Sequence, residues 1–219
     1  MKGELGKRIV SSFVILPLSF YFIISGSFFF NFFLITCYFI TSYEWYNMTK
    51  EKKYHIFGYL FLFFSFFSAY ILRNGSNDNS SLGIFLLVII ICIATDIGGY
   101  VAGKTFKGPK LSKISPNKTY SGMIGGYFLS IIIIYIFINI SELFLDLNLF
   151  LNIKVLFFII IISSVSQIGD IIVSYFKRLS NIKDTGKIIP GHGGLLDRID
   201  GMIFAFPFSY LIFLMGYNI

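Results

Sequence analysis

Between Ser174 and Asp200 the chain reads SYFKRLSNIKDTGKIIPGHGGLLDRID, a run that gathers Lys177, Arg178, Lys183, Asp184, Lys187, His192, Asp197, Arg198 and Asp200 among several glycines. Asp197 and Asp200 stand three residues apart, so on a helical turn their carboxylates share a face. Two adjacent carboxylates repel each other unless a cation lies between them, and Asp170 supplies a third hard oxygen from the preceding apolar segment. Magnesium suits such a set, because it is normally held by one or two carboxylates together with substrate phosphates. Glycines on both sides of His192 let backbone N–H groups come close to phosphate oxygens. The plainer alternative is that the aspartates pair with Lys177, Arg178 and Arg198. A zinc role for His192 lacks a partner, since the other histidine, His55, belongs to a different loop.

These residues sit in an apolar chain. Hydrophobic residues make up 56% and charged residues 13% of the 219, and mean hydropathy is +0.78. Such a composition excludes an ordinary water-soluble domain. A hydrocarbon core of about 30 Å needs roughly 20 apolar residues per helical crossing. Windows of that kind fall at 9–26, 28–45, 54–72, 82–102, 121–140, 153–175 and 202–217. The expectation is an all-α, polytopic membrane protein of about seven transmembrane helices. Residues 1–219 would form one transmembrane domain, with N-terminal helices in 1–80 and a catalytic half over about 90–215. Lys2, Lys7 and Arg8 precede the first window without a small-residue cleavage site after it, so that window is expected to stay as a helix rather than leave as a signal peptide. Cys37 and Cys92 lie inside windows, outside any CxxC or Cys/His pattern, and read as structural.

Seven crossings would put Lys2, Lys7, Arg8, Lys50, Lys52, Lys53, Lys104, Lys107, Lys110, Lys113, Lys118, Lys177, Arg178, Lys183, Lys187 and Arg198 on one side. Arg73 and Lys154 would lie on the other. Cytoplasmic loops carry the excess of Lys and Arg, so the N-terminus and the charged loops are expected on the cytoplasmic side of the cell (inner) membrane. The net charge of +7 is then a topology signal, partly an attraction to anionic lipid, and no reason to invoke nucleic acid.

Asp96, in TDIGGYVAGK, would cost about 2.5–3.5 kcal/mol at mid-membrane and so marks a polar cavity or a site. Gly98, Gly99 and Gly103 beside it permit either close helix contact or close approach of a ligand. In the sixth window Ser163, Ser166, Gln167, Asp170 and Ser174 recur at steps of three and four, forming one polar stripe that faces protein or water rather than lipid. Interhelical hydrogen bonds, at about 0.6–2 kcal/mol each, would account for the serines; Asp170 asks for more.

The chain resembles the phosphatidate cytidylyltransferase family, also called CDP-diglyceride synthetases. The family signature is Ser, two residues, Lys-Arg, four residues, Lys-Asp, a spaced Gly, His-Gly-Gly, an apolar and a free residue, then Asp-Arg-x-Asp. Here Ser174, Lys177, Arg178, Lys183, Asp184, Gly186, Pro190, His192, Gly193, Gly194, Leu195, Asp197, Arg198 and Asp200 occupy it without a gap. The preceding loop is similar as well, through Asp96, Tyr100, Gly103, Lys104, Ser115, Pro116, Lys118, Thr119 and Gly122, while Ser121 stands where relatives often carry an acidic or amide residue. The likeness covers about residues 90–215; the first 80 match only in hydropathy.

The resemblance implies the reaction of CTP with phosphatidate to CDP-diacylglycerol and pyrophosphate at the membrane. Catalytic roles would fall to Asp170, Lys177, Arg178, Lys183, Asp184, His192, Asp197, Arg198 and Asp200. Asp170, Asp197 and Asp200 would hold Mg²⁺, with a second cation such as K⁺ also conceivable. Ser115, Lys118, Thr119, Ser174, Gly193 and Gly194 would contact the nucleotide, and a homodimer is implied. Two other classes compete: a CTP-dependent lipid kinase, which would leave no cytidine in its lipid product, and a transporter using Asp96 and Asp170 as intramembrane ion ligands. Paired repeats, the usual mark of a transporter, are missing from the sequence.

Overall fold

The computed structural model describes residues 2–75, 80–112, 114–145, 150–191 and 193–217. Helices cover every one of the seven apolar windows: α1 (Lys2–Ser25), α2 (Ser27–Thr49), α3 (His55–Asn74), α4 (Ser80–Phe106), α5 (Tyr120–Leu145), α6 (Ile153–Leu179) and α8 (Met202–Leu214). A single extra turn, α7 (Leu196–Ile199), falls in the charged run before α8. Among the described residues there is no strand, only the isolated antiparallel bridges Lys110–Thr119 and Ile189–Gly193.

Among the described residues, four helices are long and apolar enough to cross a bilayer: α3, α4, the Tyr120–Ser141 part of α5, and α6; Phe13–Ser25 and α8 are shorter apolar helices. This is the make-up of a multi-pass membrane protein. The outside of the molecule agrees, since Phe57 on α3, Phe128 on α5 and Phe157 on α6 are all more than half exposed. Water would penalise so much bare aromatic surface; acyl chains do not.

The chain divides into two compact units, one of residues 1–66 and 177–199, the other of 67–176 and 200–219. The larger is built on α4, α5, α6 and α8. Leu87, Val88 and Ile91 of α4, Ile134 and Ile138 of α5, Phe158, Ile159 and Ile162 of α6 and Ala205 of α8 make one buried core, and the Phe85 and Phe206 rings stack at 5.2 Å. Lipid tails are as apolar as these side chains, so close packing rather than dehydration is what this core gains. Small residues make the packing possible. A Cβ at Gly98 would stand 2.5 Å from the Gly125 carbonyl oxygen, and one at Gly122 2.7 Å from that of Gly99. Close contact between α4 and α5 therefore accounts for the glycines beside Asp96, and Asp96 itself is exposed. Cys92 belongs to the core and Cys37 is half-buried; both are free thiols.

In the smaller unit the chain reverses between α1 and α2 at Gly26, where φ is 61°, and Phe22 stacks on Phe33 at 5.6 Å across the reversal. The far end of α2 is tied to the start of α3. Trp45 Nε1 donates to the His55 carbonyl at 2.9 Å, Thr49 Oγ1 lies 2.8 Å from His55 Nδ1, and Trp45 packs where Gly58 lacks a side chain.

Candidate functional site

The charged run falls on both units, and each part is built locally. In the smaller unit, residues 180–191 and 193–195 form an irregular loop between the end of α6 and α7. Its core is the carboxylate of Asp197. Oδ1 accepts a 2.8 Å ion-paired bond from Lys177 Nζ, and Oδ2 accepts from the backbone N–H of Thr185 at 2.8 Å and of Gly194 at 3.1 Å. Burial alone would push this carboxyl up, but Lys177 and the two N–H donors outweigh it and hold its pKa below the ordinary carboxylate value. Lys177 is itself buried.

The glycines serve this geometry. Gly193 has φ of 87°, and its N–H side of the loop closes back through Ile189 N–H to the Gly193 carbonyl at 3.0 Å. At Gly194 a Cβ would lie 2.6 Å from Glu44 Oε2 and would run into the Thr185 hydroxyl. Glu44, from α2, is the residue that sequence reasoning missed. Its side chain is 1% exposed; Oε1 accepts from Leu195 N–H at 2.9 Å, and Oε2 from Leu196 N–H at 2.7 Å and the Thr185 hydroxyl at 3.1 Å. The available signal was an acid inside the second apolar window, the same kind of signal that drew attention to Asp96.

Around this buried pair of carboxylates the other expected residues are outward. Arg178, Lys183, Asp184 and Arg198 are exposed, with Arg178 donating to the Ile182 carbonyl at 3.1 Å. His192 lies outside the described residues.

In the larger unit the polar stripe on α6 is realised. Ser163, Ser166 and Ser174 are buried, and Ser163 Oγ accepts from Thr95 of α4 at 2.8 Å. Lys118 reaches Asp170 Oδ2 at 2.5 Å and the Gln167 carbonyl at 3.2 Å, while the Ser174 hydroxyl donates to Asp170 Oδ1 at 3.3 Å. The loop carrying Lys118 folds back on itself through Leu111 N–H to Lys118 O at 2.8 Å and Tyr120 N–H to Pro109 O at 3.1 Å. Ser115 closes a turn by accepting from Lys118 N–H at 3.1 Å. Thr119 Oγ1 accepts from Gly122 N–H at 3.1 Å, capping α5, and Ser121 donates to the Lys107 carbonyl. Asp200 is buried and accepts from Gly201 N–H at 2.9 Å.

Within either unit, among the described residues, no three His, Cys, Asp or Glu side chains converge as a ready-made metal cage. The oxygen chemistry suits a hard cation in part: Asp197 already has both oxygens engaged by Lys177 and two backbone N–H groups, the pairing expected on the plainer reading of the sequence. Asp197 is kept deprotonated, as a ligand must be, and the Asp170 side chain is 27% exposed with lone pairs beyond those its two donors occupy.

The profile of the Cytidylyltransferase family matches residues 6–77 and 55–215, which takes in both units. A Rickettsia conorii protein named phosphatidate cytidylyltransferase is 37% identical over 177 residues, 78% of this chain and 74% of its own length. Proteins of the same name from Haemophilus influenzae, 41% identical over 139 residues (60% of this chain, 46% of its own), and Bacillus subtilis, 34% over 144 (65% and 52%), are similar as well. With nearly its whole length matched and the charged loop folded around Asp197, the chain belongs to the cytidylyltransferase family.

Proposed function

We propose that this protein joins CTP to phosphatidate, giving CDP-diacylglycerol and pyrophosphate. The observation that carries the reading is the ungapped signature from Ser174 to Asp200, in a chain whose relatives bear the name of that activity. The phosphatidate phosphate is anionic at neutral pH, so the nucleophile needs little help from a base. The difficulty is to bring two anions together, and positioning with charge neutralisation supplies most of the help in such transfers. Exposed Arg178, Lys183 and Arg198 are suited to neutralise the triphosphate or the lipid headgroup, with Ser115, Lys118 and Thr119 assigned to the nucleotide. Asp170, Asp197 and Asp200 are assigned to Mg²⁺, on the motif and on their oxygen chemistry. The ion, when bound, supplies positive charge to phosphate oxygens.

The lysine and arginine count places the site at the cytoplasmic face of the inner membrane in this proposal, where CTP arrives from water and acyl chains from the leaflet. A homodimer belongs to the same proposal and rests on the resemblance alone. The test is purified protein in detergent with phosphatidate, Mg²⁺ and CTP labelled either in cytidine or in the γ-phosphate. Cytidine label in the lipid fraction is the expected result; γ-phosphate in the lipid without cytidine would make the protein a lipid kinase and end the proposal.

A further inference from the structure

We propose that Glu44 is a positioning residue for the signature loop: from α2 it fixes the loop that presents Asp197, acting through Thr185 and the backbone of Leu195 and Leu196. Glu44 precedes the signature by more than a hundred residues and lies in the part of the chain where the motif is silent. Its carboxylate is nevertheless fully engaged. A buried carboxylate deprived of donors is costly, and here three donors converge on two oxygens within 3.1 Å.

Thr185 is the shared element. Its backbone N–H serves Asp197 Oδ2 while its hydroxyl serves Glu44 Oε2. Gly194 is the second, since its N–H serves Asp197 and its missing side chain makes room for Glu44. At Gly186, too, a Cβ would lie 2.7 Å from Glu44 Oε1. The loop is thus wrapped on Glu44 along one side and gathered by Asp197 along the other. The stretch of α2 beneath Glu44 is tied to the start of α3 through its neighbour Trp45. Removing Glu44 leaves two N–H groups and a hydroxyl bare inside the fold and lets Thr185 and Gly194 drift from Asp197. Outer-shell partners of this kind change activity about 10–100-fold, and a displacement of about 1 Å is enough for a loss of that size.

The kinetic part rests on the proposed reaction; the structural part does not. The experiment uses full-length protein in detergent with Glu44→Gln, which keeps the shape but turns an acceptor into a donor facing donors, Thr185→Val, and the double variant. Hydrogen exchange is followed by peptide over the whole chain, and kcat and KM are measured with CTP and phosphatidate. Each single variant is expected to exchange faster at 184–197 while α4, α5 and α6 keep their protection. Glu44→Gln should lose about 10–100-fold in kcat with KM changed less than threefold, and the double variant should be no worse than Glu44→Gln alone. Unchanged exchange at 184–197 in Glu44→Gln overturns the proposal, as does faster exchange spread evenly through the helices, or losses that simply multiply in the double variant. Should Glu44→Gln fail to fold, Thr185→Val decides by the same exchange pattern. Wild-type protein inactive on CTP and phosphatidate would sink the proposed reaction and leave the exchange result standing.

Discussion

Asp197, in the signature, and Asp170, on α6 ahead of it, are each paired to a lysine, and they are held very differently. Asp197 is nearly enclosed, with both oxygens engaged by Lys177 and two backbone N–H groups. Asp170 faces a half-open environment, with a lysine from another loop on one oxygen and a long hydroxyl contact on the other. In a low-dielectric setting a charge is worth more to its neighbours, and its loss costs more. The first acid organises a loop as well as offering charge; the second offers charge and is free to exchange its partner. The two acids therefore carry two grades of dependence.

The largest effect should come from Asp197→Asn. It keeps the size, halves the acceptor capacity and strands the Lys177 charge; cytidine transfer to lipid should fall by about 10²–10³-fold while the protein still inserts and folds. Near-normal turnover would erase the distinction between the acids. Lys177→Met comes next, at about 10–100-fold, and it also sharpens the electrostatics. Because the folded pKa of Asp197 is depressed, the pair stabilises the protein above the ordinary carboxylate range, and that contribution disappears as pH falls through the depressed value. Thermal unfolding of the metal-free wild type between about pH 3 and 7 should show this acid slope, and Lys177→Met should flatten it. Lys118→Met should cost less, about tenfold or below, because a part-exposed pair is screened; added salt should narrow the gap from wild type. A loss as large as that of Asp197→Asn would put the two acids on a par. Lys154→Ala, at the start of α6 and outside the charged loops, should leave turnover unchanged, since the contact it makes to Tyr217 uses only its backbone carbonyl.

The helices were readable because apolar length in lipid admits few alternatives: every expected window holds one. Seven full crossings went further than length and composition support, since four helices meet that standard outright among the described residues. α2 falls short of it partly because it carries Glu44 and the polar Thr41 and Ser42. The signature loop was readable as a unit because its charges are dense and its spacing is specific. The partners were not. Spacing alone can state that Asp197 and Asp200 share a helical face, yet α7 ends at Ile199, and Asp200 turns to the Gly201 N–H instead. Likewise Lys118 read as a nucleotide contact, and its bond to Asp170 depends on how the stretches around Pro109–Leu111 and Ser115–Thr119 fold back on each other. Glu44 escaped because a single acid near a window's edge reads as the boundary of an apolar run until the loop it serves has been folded.

The bonds from Glu44 to Thr185, Leu195 and Leu196 also bear on how far the molecule can be reduced. A fragment beginning near residue 90 would retain every signature side chain and forfeit the acceptor on which three of that loop's donors converge. A piece that keeps the loop as it is folded here therefore includes α2, and a C-terminal half grafted onto a foreign leader regains those bonds only where that leader brings an acceptor to the same spot.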